Sequence, residues 1–161
     1  CAADRAVRVR IVPSVPVCPL CGGASWRRER FFPLEAERPT ARVVILARCR
    51  GCGLRRYFWP DERRVTAVVP GLEGSEQPVK FLAGERAHQA GGGPAELTVT
   101  NGSLWHWAAV LMGTEDPRTG PRRLWLFDRR TLRRAVRAAG WRAGSMLPVG
   151  GGRRLRLRCR S

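Results

Sequence analysis

The sequence predicts an α+β protein in which a zinc ribbon precedes an α/β unit. Two cysteine pairs at C-x-x-C spacing lie in the N-terminal third of the chain. After residue 61, strand-like and helix-like segments alternate, and an amphipathic helix at 129–139 carries both a start and a stop signal. The chain is therefore divided into a lead-in at 1–14, a zinc ribbon at 15–60 and an α/β domain at 61–161.

The two cysteine pairs carry the clearest chemistry. Two thiolates at this spacing hold one metal ion from a tight turn, and two such turns supply a closed tetrahedral zinc site. Gly22 and Gly53 follow the pairs and permit the left-handed backbone that these turns need. Four sulfurs leave no position for water, so the zinc would be structural. The predicted ligands are Cys18, Cys21, Cys49 and Cys52.

Three other interpretations of the cysteines remain open at this stage. The pairs would also suit two redox-active C-x-x-C motifs, or a disulfide framework in an exported protein. Chance spacing is the third.

Apolar runs are too short for a membrane span, and metal-spaced cysteines suit a reducing compartment. We therefore expect a cytoplasmic protein without a membrane partner.

Alternation and capping signals place the secondary structure. The best-defined helix has Asp128 at its N-cap, an apolar stripe through Leu132 and Val136, and Gly140 after its last turn. Strands are expected at 26–32, 42–47, 54–60, 65–69, 96–100, 141–149 and 154–160, with a short β-like run at 7–12. Further helices are expected at 78–88 and 104–112.

Strong positive charge makes nucleic acid a candidate partner. The 161 residues carry a net charge of +17, concentrated in 1–60 and 121–161. Lys80 is the single lysine among 30 basic residues, a ratio that favours GC-rich coding bias over selection for phosphate contact. Arginine nevertheless binds phosphate well. For the helix at 129–139, a solvated arginine face is the simpler interpretation.

A series of short motifs runs in a fixed order along residues 16–161. They are Cys18-Pro-Leu-Cys21-Gly-Gly, Arg48-Cys-Arg-Gly-Cys-Gly-Leu54, Leu72-Glu73-Gly74, Ala90-Gly91-Gly92, Thr100-Asn101-Gly102-Ser103 and Pro121-Arg122-Arg123-Leu124. In this order they resemble the motifs of class I S-adenosylmethionine-dependent methyltransferases with an N-terminal zinc ribbon. The resemblance implies that residues 61–161 form the C-terminal half of a Rossmann-like methyltransferase domain.

By this resemblance, S-adenosylmethionine would bind near Leu72, Glu73 and Asn101, with an unknown methyl acceptor and no identified catalytic residue. The donor site would be incomplete. Only residues 61–64 separate the ribbon from the strand expected at 65–69, too few for three strands and their crossovers. The glycine-rich loop that approaches such a cofactor is also missing. We therefore expect an internally truncated family member with weak or no activity.

Two further expectations follow from the charge and the truncation. The alternative function is a zinc-ribbon module that binds nucleic acid or an acidic partner through its ribbon and its basic C-terminal tail. An incomplete sheet leaves apolar surface and an open edge, which favours a homo-oligomer.

Overall fold

The computed structural model describes residues 16–33, 43–59, 71–89, 94–103 and 123–160. Three sequence-based predictions lie outside these ranges: the β-like run at 7–12, the strand at 65–69 and the helix at 104–112.

The described residues form an α+β structure with seven strands and two helices, as the fold class predicted. Apart from the two-residue strand at Trp125–Leu126, for which alternation predicted no strand, each described element lies within a few residues of its predicted position. In chain order the elements are β1 (Trp26–Pro33), β2 (Val43–Cys49), β3 (Arg55–Phe58), α1 (Pro78–His88), β4 (Ala95–Thr100), β5 (Trp125–Leu126), α2 (Arg129–Ala138), β6 (Arg142–Val149) and β7 (Arg154–Arg160).

The first sheet combines the three strands of the predicted ribbon with one strand from the C-terminal part of the chain. Its strand order is β1-β2-β3-β5, and every pair is antiparallel. β1 and β2 form the hairpin expected of a ribbon, and β3 lies beside β2. β5 then pairs with β3 through Arg55–Leu126 and Arg56–Trp125. The predicted ribbon therefore shares its sheet with a strand from the C-terminal part.

The second sheet has the order β4-β7-β6 and is also antiparallel. An isolated parallel bridge between Asn101 and Phe127 connects it to the first sheet. Gly102 lies at this crossing, where a Cβ atom would come 3.2 Å from Leu126 and from the Phe127 carbonyl oxygen. Within the described ranges, the strand pairings do not show a Rossmann-like parallel sheet.

Helix α2 has the ends that its sequence specifies. The Asp128 carboxylate accepts a hydrogen bond from the Thr131 amide at 2.8 Å, and the Thr131 hydroxyl accepts one from the Asp128 amide. This reciprocal capping box satisfies two amide donors that the helix leaves unpaired. Gly140 follows the last turn with φ of 85°. The predicted apolar stripe of Leu132, Ala135, Val136 and Ala139 is buried.

The core lies between the two helices and the inner face of the second sheet, and it extends to the cysteine cluster. Alternation along β7 sends Leu155, Leu157 and Cys159 inward against α2. Trp141 contacts α1, because its indole N–H donates to the Leu82 carbonyl oxygen at 2.9 Å. The same apolar cluster contains Cys18, Cys49, Cys52 and Leu54.

A half-buried arginine also connects the ribbon to the second sheet. Arg55 donates to the carboxylate of Glu29 at 2.7 Å and to the carbonyl oxygen of Gly102 at 3.1 Å. Glu29 lies at the bulge of β1 and Gly102 follows β4. The guanidinium therefore connects three segments that are distant in sequence.

Alanine substitutions at two glycines, Gly140 just after α2 and Gly84 inside α1, should change the stability of the protein in opposite directions. Gly140→Ala places a Cβ at a left-handed residue and should lower the free energy of unfolding by about 1–2 kcal/mol. Gly84→Ala lies in the exposed interior of α1 with open space around its Cβ, and should raise it by about 0.5–1 kcal/mol. Urea unfolding of both variants measures the difference. A stabilising Gly140→Ala would contradict this account of the α2 terminus.

Candidate metal centre

Two turns of the same backbone geometry present the four predicted cysteines. In the first, residues 18–23, the Cys18 amide donates to the Gly23 carbonyl oxygen and the Gly22 amide donates to the Cys18 carbonyl oxygen, both at 2.9 Å. The second turn, residues 49–54, repeats both bonds at the same spacing from Cys49. Gly22 and Gly53 have φ of 70° and 84°, which confirms the predicted left-handed positions.

The turns bring the four sulfur atoms together. All four Sγ atoms lie within 4.8 Å of one another. Two contacts run between the turns, Cys18 to Cys52 at 3.4 Å and Cys21 to Cys49 at 3.5 Å. Sulfurs at about 2.3 Å from one tetrahedral ion would be separated by about 3.8 Å. The cluster therefore has the size of a tetrathiolate metal site.

Burial and hydrogen bonding set the protonation of the cluster. Burial raises the pKa of Cys18 and of Cys52 above the ordinary thiol value. Burial also disfavours the Cys49 thiolate, but hydrogen bonds from the Cys52 and Gly51 amides and from neighbouring thiols lower the pKa of Cys49 to about 7. Because metal binds thiolates, binding must displace protons, and metal affinity falls as the pH falls.

The turn backbone fits closely around the sulfurs. A Cβ atom on Gly51 would lie 3.1 Å from the Cys21 sulfur and 3.9 Å from the Cys49 sulfur. The Arg48 guanidinium lies against Gly53, where a Cβ would come within 3.3 Å of it. Cys21 is the exposed member of the cluster, and the other three sulfur-bearing residues are buried. The site is thus closed on the core side and open to solvent at one corner.

The fifth described cysteine is separate from this cluster. Cys159 lies on the inner face of β7, where burial raises the pKa of its thiol. It also lines a cavity of about 380 Å³ between α1 and β4. Cys159 therefore contributes to the apolar core and lies outside the four-cysteine cluster.

The residues predicted near a methyl donor have structural bonds of their own. The Glu73 carboxylate accepts from the Thr100 amide at 2.6 Å and lies 3.3 Å from the Arg123 guanidinium. Asn101 donates from its side chain to the Gly152 carbonyl oxygen at 2.7 Å. The two segments therefore meet, since Thr100 immediately precedes Asn101. Their polar groups are occupied by bonds within the chain.

Leu72 and Glu73 also contribute to the wall of the 380 Å³ cavity, together with Phe81 and Trp141. Among the described wall residues, Asn101 is absent. The structure thus brings Leu72 and Glu73 to one cavity and leaves Asn101 at the junction between the sheets. Sequence reasoning missed Arg123 as a partner of Glu73, because nothing local relates two residues so far apart.

Comparison with protein-family models, with curated proteins and with solved structures finds no match. Among the described helices, neither is long and apolar enough to cross a bilayer.

Proposed function

We propose that this chain is a zinc-ribbon module that binds nucleic acid, with one structural zinc ion held by Cys18, Cys21, Cys49 and Cys52. The metal part rests on the sulfur cluster, whose four soft thiolate ligands within 4.8 Å of one another favour zinc. A fourfold thiolate shell excludes a metal-bound water. The ion therefore stabilises the two turns rather than taking part in a reaction.

The nucleic-acid part is supported by an arginine ladder, which we define as the exposed Arg154, Arg156, Arg158 and Arg160 of β7. Strand alternation places these four side chains on the outer face of the second sheet, opposite the buried leucines. Successive members are separated by about 7 Å along the strand. A row of guanidinium groups at regular spacing suits a polymer with regularly repeated phosphates.

The surroundings of the arginine ladder strengthen its positive charge. Arg142 lies directly opposite Arg160 on the neighbouring strand, and like charges so placed are unfavourable without a counter-charge. Among the described residues, Glu96 is the one carboxylate on this face, where it pairs with Arg156 at 2.9 Å. A bound polyanion would relieve the repulsion between the remaining arginines.

Zinc binding is tested by substitution of one ligand. Purified protein should contain about one zinc per chain, and Cys49→Ser should lose it because three thiolates no longer close the site. Cys159→Ala is the matched control, since it removes a buried thiol outside the cluster and should keep the zinc. Metal analysis of both variants decides the point. Stoichiometric zinc in Cys49→Ser would refute the tetrathiolate site.

Nucleic-acid binding is tested through its salt dependence. The double variant Arg154→Gln/Arg158→Gln should weaken binding to an oligonucleotide and reduce the slope of log affinity against log salt by about 1–2. Fluorescence anisotropy over a salt series measures the slope. The control Arg133→Gln/Arg137→Gln removes equal charge from the exposed side of α2 and should keep most of the affinity.

Three results would count against this assignment. Absence of binding at low salt would remove nucleic acid as the partner. Equal loss in both double variants would show diffuse attraction instead of a ladder. Tighter binding to phosphatidylserine vesicles than to oligonucleotides would favour an anionic lipid surface.

The second candidate function is that of the methyltransferase family whose motifs the sequence resembles. In that case residues 61–161 would have a Rossmann-like arrangement. The hydrogen bond from Thr100 to Glu73 favours it, since it joins two segments in which that resemblance places the methyl donor. The missing glycine-rich loop argues for weak or no catalysis, because methyl transfer depends mainly on positioning donor and acceptor.

Isothermal titration with S-adenosylmethionine tests this second candidate. We expect no binding at micromolar concentrations, because the polar groups of Glu73 and Asn101 are bonded within the chain. Micromolar binding that is lost in Glu73→Gln and retained in Glu76→Gln, at an exposed carboxylate outside the cavity wall, would establish a donor site. That result would contradict our account of an incomplete one.

A further inference from the structure

One end of the ribbon sheet carries three apolar side chains side by side. Phe31 on β1 lies opposite Ile45 on β2, which in turn lies opposite Phe58 on β3. Directly opposed residues share a face of a sheet, so these three form a row across the strands, which we call the aromatic row. Phe31 is 49% exposed, and Ile45 and Phe58 are half-buried.

The neighbouring positions on this face hold the row in place. The Arg56 guanidinium lies 5.3 Å from the centre of the Phe58 ring and 5.1 Å from that of Trp125. Trp26 meets Phe58 edge to face, with ring centres 5.7 Å apart. These cation–π and aromatic contacts restrict the Phe58 ring. The row therefore ends on a rigid side chain, which lowers the entropy lost when a ligand binds.

The opposite face of the same sheet shows what a packed face looks like in this protein. Val44, Leu46, Tyr57 and Trp59 there are all at most 4% exposed. The aromatic row differs because Phe31 is exposed and Ile45 and Phe58 are only half-buried, and Arg28 is exposed beside it in register with Ala47. Single exposed apolar residues need no explanation, but a contiguous row flanked by a cation indicates a binding surface.

We propose that the aromatic row stacks against the unpaired bases of single-stranded nucleic acid, with Arg28 contacting the phosphate chain. This inference rests on the proposed nucleic-acid function and assigns its strand specificity to a surface away from the arginine ladder. Base faces are hidden in a duplex and open in a single strand, where aromatic side chains receive them.

The spacing of the row fits this ligand. Phe31 and Phe58 lie two strand separations apart, about 10 Å, with Ile45 between them. One unpaired base can stack on the exposed Phe31 ring and contact the neighbouring Ile45 side chain. Phe58, held by Arg56 and Trp26, forms the fixed end of the row. Stacking is tolerant of base identity because every base has a π-face. The row should therefore recognise single strands with little sequence preference.

The decisive comparison uses two probes of equal charge: a thymidine oligonucleotide and the abasic oligonucleotide of the same length. Both probes offer the same phosphate contacts, so the ratio of the affinities for the two probes measures the contribution of the bases. The wild-type protein with its metal should bind the thymidine probe about tenfold more tightly, the effect of about one stacked base. Fluorescence anisotropy at constant salt gives the ratio.

Variants at Phe31 then identify the stacking ring. Phe31→Ala and Phe31→Leu should bring the ratio close to 1, because neither has a π-face, whereas Phe31→Tyr should keep it. Leu147→Ala is the matched control: its side chain is 59% exposed on the second sheet, opposite Arg156 of the arginine ladder, so its truncation can change both affinities equally but should leave their ratio unchanged. Zinc content and thermal unfolding establish that each variant is folded.

Each remaining outcome overturns the inference in a distinguishable way. Equal binding of both probes by the wild-type protein would exclude stacking while leaving the arginine-based function intact. A ratio retained in Phe31→Leu would mean that the row makes only apolar contacts, as with a protein partner. Failure to bind either probe would remove the nucleic-acid function and the stacking surface with it.

Discussion

Four sulfur atoms at the base of the ribbon are the constraint on which the rest of the structure depends. Cys18, Cys49 and Cys52 belong to the same apolar cluster as the helices and the second sheet, so the site is part of the core. Several thiolates in an apolar core are unfavourable because they lose their hydration and repel one another. The raised pKa of Cys18 reflects both effects. A divalent cation removes both difficulties, and the free energy of metal binding then becomes free energy of folding for the whole core.

The sequence predicted features with local causes. Cysteine spacing and the following glycines specify the turns, the Asp128 cap and Gly140 delimit α2, and alternation specifies β7. The arrangement of these elements depended on long-range contacts that no local pattern contains. β5 has only two residues, yet it completes the ribbon sheet because Leu126 and Trp125 meet β3. Likewise, Glu73 has the sequence context of a simple turn, and its bond to Thr100 exists only in the folded chain.

The two surfaces of interest differ in their physical origin. The arginine ladder arises from strict alternation on a central strand and would act through charge, so salt would control its strength. The aromatic row arises from register across three strands and would act through ring contact, which salt affects little. In the proposed function, the two surfaces would separate affinity from strand discrimination. The cysteine cluster lies in the core that connects the two sheets.

The pairing of β3 with β5 has a consequence for how the chain folds during synthesis. The ribbon emerges before β5, and its hairpin closes through contacts near in sequence, which form quickly. The outer edge of β3 pairs with Trp125 and Leu126, so its hydrogen bonds cannot form until these residues, far along the chain, have been synthesised. During that interval the nascent ribbon exposes an unpaired strand edge, the structural feature most prone to pair with another molecule. Ribosome-bound chains that stop short of β5 are therefore the species from which aggregation would begin.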